Sequence, residues 1–134
     1  VEHIECGEQG GRAVAFVVVG HRAAAPLILV LGDSLTEGMQ VPGEETFPKV
    51  LEQRLHQSGR GPAEVIDASC SGYGTDNELL FYRNEARRYR PDVVLLAFNT
   101  WNDVLENYTP LMRRAGFPYP RKPYFRREGS RGPE

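Results

Sequence analysis

The apolar residues Leu27 to Leu31 run without a polar interruption into Gly32-Asp33-Ser34-Leu35-Thr36-Glu37-Gly38. A run of this length closed by a glycine suits a strand buried on both faces of a parallel sheet, because a half-exposed strand would alternate with polar residues. Asp92 to Phe98 (DVVLLAF) has the same unalternating character and follows Pro91, which ends the helical pattern before it. Both runs are therefore expected at the centre of a sheet. Open α/β sheets bind ligands at the carboxyl ends of their strands, which is where Ser34 falls.

The remaining chain supplies crossovers for such a sheet. Ala13 to Val19 (AVAFVVV) reads as a first strand ending at Gly20, whereas Val1 to Gly11 has no periodicity. Gly32 to Gly43, with Gly38 and Pro42 inside it, reads as a loop. A helix begins near Thr46, with Pro48 in its first turn and Phe47, Val50, Leu51 and Leu55 along one face. Glu64 to Ala68 is a short third strand, and Asp92 to Phe98 is the fourth. Between them Thr75 and Glu78 form a T-x-x-E capping box, and Leu79, Tyr82, Ala86 and Tyr89 give the helix its apolar stripe. Asp76 and Glu78 near its start and Arg87, Arg88 and Arg90 near its end suit the helix dipole. Strands alternating with helices make this an α/β chain with a doubly wound parallel sheet. Residues 1–107 form one domain, and 108–134, rich in proline and arginine, read as an extended or disordered tail.

Bulk properties narrow the function classes. A formal net charge of -2 gives no broad attraction to nucleic acid or anionic membrane. No apolar run is long enough for a membrane span. Glu2, Glu5 and Glu8 precede Ala13 to Val19 with the wrong charge for a secretion signal. Cys6 and Cys70 form no C-x-x-C pair and read as buried thiols, and no residue pattern calls for a cofactor or a metal.

Three strand ends carry residues that acyl transfer needs: Ser34, Gly72 in the loop Ser69 to Thr75, and Asn102. A serine hydroxyl attacks a carbonyl carbon, and N–H donors hold the oxyanion that develops. Taken singly, each has an ordinary reading: Ser34 as a turn residue, Gly72 and Gly74 as a flexible turn, Asn102-Asp103 as a helix cap. Their order, each after its own strand of one sheet, outweighs those readings. Asp33 is expected to accept loop N–H groups, and Trp101 to form a packing or pocket wall.

Thr36 occupies the place of the second glycine in a G-x-S-x-G elbow, so that motif is excluded. The chain instead resembles the SGNH (GDSL) hydrolases: Gly32 to Gly38 resembles their block I, Ser71-Gly72-Tyr73-Gly74-Thr75 their block II, and Thr100-Trp101-Asn102-Asp103 their G-x-N-D block III. The resemblance implies a three-layer α/β/α, flavodoxin-like fold and a serine ester hydrolase acting on a small-molecule or carbohydrate acyl ester. It implies Ser34 as nucleophile, and the Ser34 N–H, the Gly72 N–H and the Asn102 amide as oxyanion donors. Thr100 departs from the family's glycine. The family's D-x-x-H has no counterpart either, since none of His3, His21 and His56 follows an aspartate by three positions. The chain is thus expected to correspond to the amino-terminal part of such a domain. The alternative is a catalytically incomplete fragment or a non-catalytic anion- or ligand-binding module. A sheet ending at Asp92 to Phe98 would leave an exposed edge and an apolar face that favour self-association.

Overall fold

The computed structural model describes residues 2–9, 12–20, 25–59, 61–116 and 125, the first two stretches through their backbone. In chain order the elements are β1 (Glu2–Gln9), β2 (Arg12–Gly20), β3 (Leu27–Leu31), α1 (Ser34–Glu37), α2 (Phe47–Gln57), β4 (Glu64–Asp67), α3 (Thr75–Asn84), β5 (Val93–Asn99), α4 (Asp103–Glu106) and α5 (Thr109–Arg114). Short 3-10 turns cover Gly43–Glu45 and Ala86–Tyr89.

The sheet order is β1-β2-β5-β3-β4, with β5, β3 and β4 parallel. The pleat of β3 explains its unalternating sequence. Ile28 and Val30 pack with Ala63, Leu51 and Leu55 on the α2 face, while Leu29 and Leu31 pack with Ala86, Phe81 and Tyr82 on the α3 face. Helices thus cover the strand from both sides, the α/β arrangement expected of an SGNH-type fold. Asp92 sets the register between β3 and β5, its N–H donating to the Leu27 carbonyl and its Oδ2 accepting the Leu27 N–H, each at 2.9 Å. Pairing between β3 and β4 continues past the strand ends. Ala68 N–H donates to Val30 O at 2.8 Å and Cys70 N–H to Gly32 O at 3.0 Å, drawing the loop after β4 beside Ser34.

Several expectations are corrected. Residues 2–9 form a strand, antiparallel to β2. In turn β2 lies antiparallel against β5, from Val14 opposite Asn99 to Gly20 opposite Val93. The parallel part of the sheet is therefore three strands, and the edge expected open beside β5 is taken by β2. The β-branched run of β2 returns along β5 and satisfies backbone groups that would otherwise face water or another chain.

Residues 34–37, expected in a loop, form one helical turn. The T-x-x-E box does not form, because the helix begins at Thr75 itself, whose hydroxyl accepts from the Asn107 amide at 2.7 Å. The N-cap of α3 is Gly74, whose N–H faces Asn77 Oδ1 at 3.4 Å, and Glu78 is fully buried. Leu79 and Tyr89 of the expected buried stripe are 36% and 60% exposed, since α3 stops at Asn84 and the 3-10 turn swings Tyr89 outward. Helix α5 lies in the stretch expected as tail and buries Met112. Residues 117–124 and 126–134 of that stretch lie outside the described residues.

Candidate active site

Ser34 is presented by a turn held by Asp33, Gly32 and Gly38. Asp33 is the N-cap of α1: its Oδ1 accepts the Leu35 N–H at 2.9 Å, and its carbonyl accepts the Thr36 and Glu37 N–H groups. Gly38 ends the turn in the left-handed region at φ 64°. The turn folds back over Gly32 so closely that a Cβ there would lie 2.4 Å from Thr36 Oγ1. Ser34 thereby occupies the first helical position, where backbone N–H groups have no intrahelical acceptor.

Gly72 has φ 80°, a left-handed conformation that costs glycine little, and the space where its Cβ would stand is open. Its loop is tied to α1 by Glu37, whose Oε2 accepts the Ser71 N–H at 2.8 Å and the Ser71 hydroxyl at 2.5 Å. Asn102 follows β5 through a tight turn in which Asp103 Oδ2 accepts the Asn99 N–H at 2.6 Å and Asn99 Oδ1 accepts the Trp101 N–H at 3.1 Å. Thr100 fits this turn without glycine: among the described residues Arg90 is the one non-glycine with positive φ. Asn102 stands at the N-cap position of α4 without a side-chain capping bond, and its Nδ2 donates to Asp33 Oδ2 at 2.6 Å.

The loops after β3, β4 and β5 thus meet around a cavity of about 370 Å³, lined by Ser34, Ser71, Gly72, Asn102, Trp101 and Met112 among others. Trp101, 54% exposed, forms part of its wall. Five acids are buried nearby, Asp33, Asp76, Glu78, Asp103 and Glu106, each at most 5% exposed; Glu106 lines this cavity, while Asp76 and Glu78 line the neighbouring groove. Burial, and then the carboxylates of Asp103, Asp33, Asp76 and Glu106, push Glu78 up to about 8, which holds it mainly protonated at neutral pH. Asn107 joins α3 to the end of α4, its Oδ1 accepting the Asp76 N–H at 3.1 Å while its amide donates to Thr75. A separate apolar groove of about 630 Å³ opens between α3 and the sheet, with Leu31, Val94, Leu96 and Tyr82 in its wall.

Neither this group of buried acids nor the two clamps, Glu37 to Ser71 and Asn107 to α3, is visible in sequence. Asp76 and Glu78 read there as helix-dipole partners in a first turn. The one available signal was the number of acids and amides within the loops themselves.

Cys70 is half-buried, its thiol pushed up by burial and by the nearby Glu37 carboxylate. His56 stands apart: its Nε2 lies 2.7 Å from Ala63 O, just before β4 and so at the opposite sheet end from Ser34. His3 has its backbone in β1, and His21 lies outside the described residues. Among the described residues no group of three or more His, Cys, Asp or Glu could hold a metal ion, and no helix is long and apolar enough to cross a membrane.

The sequence profile of the GDSL-like lipase/acylhydrolase family matches residues 30–121, which include Ser34, Gly72 and Asn102. The chain belongs to that family. As a GDSL-like protein it is similar to an arylesterase of Vibrio mimicus, 37% identical over 87 residues that make up 65% of this chain and 42% of the relative. It is also similar to an uncharacterised protein of Mycoplasma pneumoniae, 35% identical over 78 residues, 57% of this chain and 9% of the other. This GDSL-like chain therefore spans less than half the length of the curated relatives it matches. A mutant of the esterase AlinE4 aligns at TM-score 0.50 with 25% identity, over 73% of this chain and 58% of AlinE4. TesA shares the fold at TM-score 0.53 and 23% identity, over 66% of this chain and 49% of TesA.

Proposed function

We propose that this chain carries the nucleophile and the oxyanion-stabilising half of a serine ester hydrolase, acting on carboxylic esters with short acyl groups, including those on carbohydrates. The observation that carries the reading is that Ser34, Gly72 and Asn102, each after a different parallel strand, line one cavity. Membership of the GDSL-like lipase/acylhydrolase family supports it.

Ser34 Oγ forms a bond to the ester carbonyl carbon, and the carbonyl oxygen takes up the negative charge. The Ser34 N–H, the Gly72 N–H and an Asn102 amide N–H hold that charge. An asparagine amide has two N–H groups. Asp33 Oδ2 accepts one at 2.6 Å and Glu106 Oε1 the other at 3.4 Å, and the oxyanion takes over the second N–H in place of that longer bond. Collapse breaks the bond to the alcohol oxygen, which leaves with a proton, and water then cleaves the acyl-serine. The proton taken from Ser34 needs a base, and His56 is held at the other end of the sheet. A serine without its imidazole attacks esters and phosphonates slowly, so the diagnostic event is a single capture that accumulates over hours of incubation rather than turnover.

Incubation with a fluorophosphonate followed by intact mass and peptide mapping tests the reading. One adduct, on Ser34 and lost in Ser34→Ala, is the expected outcome. An adduct that persists in Ser34→Ala overturns the assignment. Saturable binding of acetate or sulfate with no adduct assigns the cavity to a non-catalytic anion module instead.

A further inference from the structure

We propose that Glu37 is a positioning residue whose carboxylate holds the Gly72 N–H in place relative to Ser34; this rests on the reading of Ser34 and Gly72 given above. The loop after β4 is fixed at its base by Cys70 N–H to Gly32 O at 3.0 Å, and its turn closes with Tyr73 N–H to Cys70 O at 3.1 Å. Those bonds set where the loop starts and that it turns. Neither bond ties the loop to α1, and Glu37 supplies a side-chain tie between the two. Its Oε2 takes both the N–H and the hydroxyl of Ser71, the residue before Gly72, at 2.8 and 2.5 Å.

The restraint is measured from the nucleophile itself. Glu37 stands three positions after Ser34 in the same single turn, its own N–H bonded to Asp33 O at 3.0 Å, and the next N–H, of Gly38, returns to Ser34 O at 3.1 Å. Any tilt of α1 therefore moves Ser34 and the acceptor of Ser71 together. An ionised carboxylate accepts both donors with charge assistance. A glutamine oxygen accepts the same donors more weakly, and an aspartate is one methylene short. The order expected for loop placement is accordingly Glu, then Gln, then Asp and Ala together.

The test uses Glu37→Ala, Glu37→Gln, Glu37→Asp and Ser71→Ala in the full chain, with two independent readouts. Amide spectra and hydrogen exchange of Ser71 and Gly72 report the loop without requiring chemistry. The rate of Ser34 phosphonylation by ethyl 4-nitrophenyl methylphosphonate, followed by intact mass, reports the oxyanion site. The Ala and Asp variants are expected to exchange the Ser71 and Gly72 amides faster and to lose about 10- to 100-fold in phosphonylation rate, because a misplaced donor forfeits much of what it gives the oxyanion. Recovery of most of that rate by Gln, with little change in unfolding midpoint across the set, supports positioning, and a smaller loss in Ser71→Ala supports it from the partner side. Unmoved amides with full-rate labelling in Glu37→Ala overturn the proposal. A rate that follows the unfolding midpoint through all four variants also overturns it, as a merely structural role. Wild-type chain that takes no phosphonate overturns the Ser34 reading and this role with it, whereas loss of labelling confined to the variants leaves the Ser34 reading intact.

Discussion

The side-chain amide of Asn102 donates to the buried carboxylate of Asp33 at 2.6 Å, so the residue beside Ser34 also orients an amide 69 positions away. The other oxygen of the same carboxylate caps α1 through the Leu35 N–H. Asp33→Asn keeps an acceptor for only one of these partners and sets an NH₂ against the other. Its expected effects are a stability loss of about 1–3 kcal/mol and at least a tenfold slower Ser34 phosphonylation. Urea unfolding and adduct kinetics measure the two separately.

Gly32→Ala tests the close return of α1. The added Cβ would lie 2.4 Å from Thr36 Oγ1 and 2.6 Å from Thr36 Cβ, so either the turn or the strand end must shift. A loss of about 1–3 kcal/mol in urea unfolding is expected, the range for overpacking. Thr36→Ser does not relieve it, because the nearby Cβ remains, whereas Thr36→Gly in the same background restores part of the loss.

Glu78 gives stability a pH dependence of definite sign. Its ordinary value is 4.5 and it is raised to about 8 in the fold. Between those values the unfolded chain has released a proton that the folded chain keeps. The contribution is therefore full below pH 4.5 and falls as pH rises toward 8, by at most roughly 1.4 kcal/mol per unit. Unfolding free energies at a series of pH values, wild type against Glu78→Gln, should show a downward slope in this window that the variant flattens. An unchanged slope refutes the assignment.

Asn107→Ala removes both the acceptor for the Asp76 N–H and the donor to the Thr75 hydroxyl. About 1–3 kcal/mol of stability should go with them. Asn107→Asp keeps the acceptor and should fall between the two, while adding charge to an already acidic region. Thermal unfolding ranks the three.

His56→Ala should leave Ser34 phosphonylation unchanged and cost about 1 kcal/mol of stability, because its Nε2 contacts the Ala63 carbonyl far from the cavity. Hydrolysis of p-nitrophenyl acetate by the wild-type chain should remain near background for the same reason. Robust turnover lost in His56→Ala would contradict both expectations.

The parts legible in sequence were those written in contiguous residues. The unbroken runs 27–31 and 92–98 announced the two central strands, and Ser34, Gly72 and Asn102, each after its own strand, announced the cavity's residues. What escaped depends on pairs distant along the chain. The capping box at Thr75 gave way to a helix that starts one residue earlier, with the Thr75 hydroxyl turned to Asn107, 32 positions on. The burial of Glu78 is set by a sheet and by loops far from it in sequence. The strand at residues 2–9 has no periodicity of its own and owes its form to β2 beside it.

The separations spanned by the polar bonds that hold the loops together bear on the order of folding. Glu37 reaches Ser71 across 34 positions, Asn107 reaches Asp76 across 31, and Asn102 reaches Asp33 across 69. Contacts this distant must overcome a loop-closure cost that local turns avoid. The longest of them cannot form until β5 has docked on β3. In a refolding experiment the cavity should therefore assemble last: far-UV circular dichroism should recover before the fluorescence of Trp101, the chain's single tryptophan, reaches its native value.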